Sequence, residues 1–113
     1  MLIITNRNRV AGSTDGRAFS SKFTVDSPIL SVAKAERLIT GEGAEAWKTS
    51  DIDVDASDAV LAARIAEYFS FVHGLGRRIL VYVHGNSYDY QECLTRCEAL
   101  ASEYTGVEVI GFS

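Results

Sequence analysis

Residues 78–83, RILVYV, carry apolar side chains at five of six positions, three of them β-branched. A run of this kind suits a strand covered on both faces, as in a parallel sheet. Parallel neighbours cannot be joined by a tight turn; they need a crossover, usually a helix. Helical patterns stand on both sides of the run. Before it, Val60, Leu61, Ile65, Tyr68, Phe69 and Val72 recur at helical spacing, with Ala62, Ala63 and Ala66 between them. Ser57 is placed to cap the start of that helix and Gly74 to stop it. After the run, Asp89 and Glu92 form a D-x-x-E capping box. Cys93, Leu94, Cys97, Leu100, Ala101 and Tyr104 make the apolar stripe of the second helix, Gly106 ends it, and VEVIGF (107–112) reads as another strand. Helix, strand, helix, strand at these lengths implies a parallel pair joined by a right-handed crossover. The expected class is α/β: three layers, α/β/α, around a partly parallel sheet, in one domain spanning 1–113.

The first half carries weaker signals. LIIT (2–5) reads as a strand, NRNRVAGSTDGRAF (6–19) mostly as loop, and SKFTV (21–25) as a strand with Phe23 and Val25 on one side. ILSVAKAERL (29–38) mixes strand and helix formers; we read it as a strand. GEGAEAWKTSDIDVD (41–55) reads as an acidic loop with a short strand near Trp47. Asp51, Asp53 and Asp55 alternate with Ile52 and Val54. Three carboxylates could hold a hard cation, but the glycine and final glutamate of a calcium loop are missing, so a solvated face is the better reading and no metal is expected.

With 47% hydrophobic residues and all aromatic types present, the chain can fill a core. A net charge of −4 with no basic stripe argues against nucleic acid. No apolar stretch approaches the roughly 20 residues of a membrane span. The N-terminus lacks the features of a signal peptide, which points to the cytoplasm. Cys93 and Cys97 share a helix face without further cysteine or nearby histidine, so we read them as small buried hydrophobes rather than zinc ligands.

The functional interest lies in HGNSYDY (84–90), between a strand end and a helix start. Sites in open parallel sheets gather beyond the carboxyl ends of the strands. Gly85 permits backbone torsions closed to other residues. The N–H groups of Asn86 and Ser87 can then face a cleft, and free N–H groups near a helix start attract negative charge. Such a turn can serve as an oxyanion hole or hold a phosphate or carboxylate; a plain strand-to-helix turn needing a glycine is the simpler reading.

ILVYVHGNSYDYQECLTRCEALASEYTGVEVIGFS (79–113) resembles the early core of an α/β-hydrolase. It is similar to a poorly characterised bacterial group in which an apolar strand, His-Gly, a polar turn and a helix lead to a strand ending in Phe-Ser. IITNRNRV (3–10) is similar to that group's opening. The resemblance implies that Asn86 supplies an oxyanion N–H, that Gly85 sets the turn, with Ser87 beside it, and that His84 is a structural residue of the loop. It also implies a small-molecule ester or anion as ligand and no cofactor.

The chain departs from the family where the chemistry should be. It has no G-x-S-x-G nucleophile elbow. Ser87 lies in the oxyanion turn and Ser13 in a polar loop with no strand before it. His73, the only other histidine, precedes the His-Gly strand and suits a helix C-terminus. No catalytic residue is therefore assigned. The expectation is an incomplete hydrolase-like core, a fragment or truncated serine esterase or lipase-like protein inactive alone. The alternative is a small non-catalytic binding or interaction module. Strand 107–112 would be interior in a full hydrolase; here we expect its edge to lie open and recruit a second copy, giving a homo-oligomer.

Overall fold

The computed structural model describes residues 1–23, 29–84 and 89–113. Its elements are β1 (Leu2–Thr5), β2 (Arg7–Arg9), β3 (Phe19–Phe23), β4 (Leu30–Arg37), a 3-10 turn (Gly43–Ala46), β5 (Trp47–Ala56), α1 (Asp58–Gly74), β6 (Arg78–Val83), α2 (Tyr90–Glu103) and β7 (Val107–Phe112). Five strands form one mixed sheet in the order β5-β4-β1-β7-β6, and β2 pairs with β3 in a separate ribbon. β1, β7 and β6 run parallel; β4 runs antiparallel to β1, and β5 to β4. The fold is α/β.

β1 lies at the centre, and all four of its residues are buried. Alternation sends its side chains to two cores. Leu2 and Ile4 meet Val32, Tyr68, Val72 and Ile110 under α1. Ile3 meets Ala33, Ala35, Trp47, Cys93, Leu94, Cys97 and Val109 under α2. The two helices thus cover opposite faces, which makes the three layers.

Close approach explains Gly111 in the middle of β7. A Cβ there would stand 2.7 Å from Cys97 Sγ and 2.9 Å from Ile3 Cδ1. Cys93 and Cys97 are free and buried, as small side chains between helix and sheet. Hydrogen bonding with Cys93 first, then burial, pushes the Cys97 thiol above its ordinary range.

Both helix starts are as the sequence predicts. Ser57 Oγ accepts from Val60 N–H at 3.2 Å, and Asp89 Oδ1 accepts from Glu92 N–H at 2.8 Å. The end of α1 differs. Gly74 is still helical, and Gly76, at φ +68°, makes the turn. Its N–H reaches His73 C=O while Arg77 N–H reaches Val72 C=O, the paired bonds of a Schellman motif.

The first half corrects several expectations. Residues 6–19 hold β2 and the start of β3, and β3 runs 19–23 rather than 21–25; Val25 lies outside the described residues. The expected strand at 29–38 is β4. The expected acidic loop contains β5, the longest strand. It was obscured because an edge strand pairs on one side only and tolerates aspartates that a central strand would exclude. Asp51 pairs with Lys34 and Asp53 with Arg64, so two of the three alternating carboxylates make ion pairs. Among the described residues no three potential metal ligands converge.

The assignment of sheet edges is also corrected. The run 78–83 suits a strand covered on both faces; β6 is instead an edge strand, with Val81 56% and Val83 72% exposed. β7 was expected to present the open edge. It is interior, with β1 on one side (Leu2 opposite Ile110) and β6 on the other. An apolar run fixes neither burial nor strand order: no residue of β6 is fully buried, and β1 takes the place beside β7. No helix among the described residues is long and apolar enough to cross a membrane.

Candidate functional site

β1, β6 and β7 end together, and the residues just beyond them form a polar corner. The ladders extend one residue past the strands: His84 N–H donates to Phe112 C=O at 3.1 Å, and Ser113 N–H to Ile4 C=O at 2.9 Å. Thr5 Oγ1 donates to Ser113 C=O at 3.2 Å and accepts from Arg7 N–H at 3.1 Å. The last bond bends the chain from β1 into β2 and sends the Arg7 side chain back across the strand ends.

Arg7 is only 2% exposed. Its Nε donates to Ser113 Oγ at 2.7 Å, Nη2 meets His84 Nε2 at 2.7 Å, and Nη1 reaches Ser20 C=O at 3.5 Å. The guanidinium carbon lies 4.8 Å from the centre of the Phe23 ring, within cation–π range. Burial lowers the Arg7 pKa, and the carboxylates of Asp89 and Glu92 oppose that shift. Guanidinium has donors and no acceptor, so His84 Nε2 must accept and the ring proton belongs on Nδ1. Burial first, and the Arg7 charge second, lower the His84 pKa below its usual 6.5. The ring is held neutral.

This geometry limits the chemistry. Ser113 Oγ and His84 Nε2 accept from the same cation. His84 Nε2 cannot take a proton from a serine without giving up Arg7. The cluster is electrostatic rather than a serine–histidine dyad. With one lone pair engaged by Arg7, Ser113, which lines the adjoining cleft, keeps an O–H able to donate. That cleft, of about 280 Å3, has Thr5, His84 and Ser113 among its polar lining and Ile4, Leu30, Val83 and Phe112 as apolar wall. A second cleft of about 290 Å3 lies at the opposite end of β1, between Met1, Lys34, Glu36, Arg64, Glu67 and Phe71, with charges of both signs.

The residues anticipated from sequence fall unevenly on this corner. His84 sits in it, with its ring against Arg7. Gly85, Asn86 and Ser87 lie outside the described residues. Asp89, just beyond them, caps α2. His73 is exposed at the end of α1, and Ser13 donates to Asp15 Oδ1 at 3.1 Å, within a loop. A hydrogen bond from Arg17 holds the Asp15 carboxyl down to about 2. Sequence reasoning missed Arg7, Thr5 and Ser113. The available signal was an arginine two residues past an apolar strand, inside the IITNRNRV segment. It read as one of several scattered surface cations. No family model, curated protein or solved structure matches the chain.

Proposed function

We infer that this chain is an α/β-hydrolase-like scaffold whose polar corner receives a small ester or anion, and that the chain alone does not turn esters over. The observation that carries the reading is the buried Arg7, fixed by Ser113 and His84 where three parallel strands end. A cation in a low-dielectric corner favours developing or resident negative charge in the cleft beside it. Arg7 acts through the groups it orients: it sets the Ser113 hydroxyl as a donor and keeps His84 neutral. The resemblance adds the Asn86 N–H as a further donor. No nucleophile elbow accompanies these donors, so the corner binds rather than cleaves.

Two measurements test this. In a 1H–15N titration with butyrate or inorganic phosphate, the amides of His84, Asn86, Ser87 and Ser113 should shift together, and Arg7→Gln should weaken the response at least tenfold. Shifts confined to other residues would overturn the anion site. Purified protein should give no p-nitrophenyl ester hydrolysis above background. Turnover abolished by Ser87→Ala would make Ser87 a nucleophile and overturn the inactive reading. An interaction module is the second reading, favoured by the open edge of β6.

A further inference from the structure

β6 is a six-residue edge strand paired to β7 without interruption from Arg78 to Val83. Along its own length it has no proline, no bulge and no charge between its ends, three of the devices that blunt an edge. Ile79, Val81 and Val83 face the α1 side, while Leu80 and Tyr82 pack with the α2-side core. On the α1 side, Val81 is 56%, Val83 72% and the neighbouring Phe69 48% exposed. Beside them runs an open groove lined by Phe69, Val72, His73, Arg77 and Ile79.

We propose that β6 pairs antiparallel with β6 of a second copy of this chain, about a twofold axis through Val81, joining two sheets into one of ten strands. The reading does not rest on the anion site, although Val83 and His84 border both. A twofold normal to the sheet keeps each face on its own side, so only residues of like parity can stand opposite one another. Centred on Val81, the register sets Val81 against Val81, Ile79 against Val83 and Leu80 against Tyr82. Every apolar side chain of the strand then meets an apolar one. Val83 falls beside Ile79 of the partner copy, where the groove under Phe69 receives it. Centring on Leu80 instead would set the charged Arg77 against Val83.

The same register brings Arg78, which is exposed and makes no ion pair among the described residues, opposite His84 of the other copy on the α2 side. The exposed apolar surface of Phe69, Val81 and Val83 sums to about 300 Å2 per copy, and the six-residue backbone ladder would add to it against the ~800 Å2 per partner of a standard interface.

Size exclusion with light scattering should find a dimer at tens of micromolar. Val83→Glu, at an exposed position, should raise the dissociation constant at least 100-fold while circular dichroism stays unchanged. Val81→Cys should form an intermolecular disulfide under mild oxidation, whereas Val54→Cys on the β5 edge should not; Cys93 and Cys97 are buried. A monodisperse monomer at 100 μM would overturn the proposal. So would a dimer that withstands Val83→Glu, or one bridged through Val54→Cys and not Val81→Cys. If Val83→Glu failed to fold, the cysteine pair alone would decide.

Discussion

The two edges of the sheet are built on opposite plans. β5 is longer, yet its pairing to β4 is broken by register shifts, with Asp51 and Asp55 at φ near +50°. Lys48, Asp51, Asp53 and Asp55 scatter charge along it. Such an edge presents no regular ladder to another chain. β6 is regular, apolar and short, and among the described residues it pairs with β7 alone. One edge is finished by local irregularity, while the other is left able to extend the sheet. The difference also divides the molecule: the β4–β5 half rests on antiparallel pairing and surface ion pairs, the β6–α2–β7 half on tight packing of a helix against a glycine.

If that division holds, the largest stability loss should come from Gly111→Val. Its Cβ would meet Cys97 Sγ and Ile3 Cδ1 inside normal contact distance, and overpacking of this kind costs about 3 kcal/mol. Urea denaturation should record the loss, and hydrogen exchange should show β6 losing protection before β5. Equal loss at both edges would break the comparison.

A smaller effect, and one that sharpens it, is expected at His84. The residue ties the end of β6 to β7 through its backbone and to Arg7 through its ring. His84→Ala removes one acceptor from a charged donor and should cost about 2 kcal/mol. The folded state holds His84 at a lowered pKa, so the unfolded chain takes up its proton more readily. This contribution is present above pH 6.5 and is lost as the pH falls through 6.5 toward the lower folded value. Melting between pH 7.5 and pH 5 should therefore show stability declining with acid. His84→Gln, whose amide oxygen can still accept from Arg7, should flatten that decline. The exchange of β6 amides should respond to acid more than that of β5 amides.

The smallest effect belongs to the irregular edge. Asp51→Gly and Asp55→Gly each relieve a left-handed backbone, which glycine adopts without steric cost. Each should leave stability unchanged or raise it by about 0.5 kcal/mol. A clear loss at Asp51 would mean that its contact with Lys34, at 3.2 Å, matters more than an exposed ion pair usually does.

Local patterns carried the second half of the chain. Both helices, their caps at Ser57 and Asp89, the stop at Gly106, and the parallel pairing of 78–83 with 107–112 follow from periodicity and capping chemistry, which act over a few residues. Even the ambiguous 29–38 resolved as the strand that Leu30 and Val32 suggest. Tertiary structure decided what depends on distant neighbours. β1 fills the place beside β7, moving the open edge to β6. β4 supplies the ladder that makes a strand of 47–56 despite its aspartates. Thr5, Arg7, His84 and Ser113 converge across as many as 108 positions of sequence. An arginine in NRNR looks like solvent-facing charge until a chain bend turns it under a phenylalanine and between two strand ends. Its burial is set by the packing of β1, β6 and β7 together, and no window of sequence contains all three.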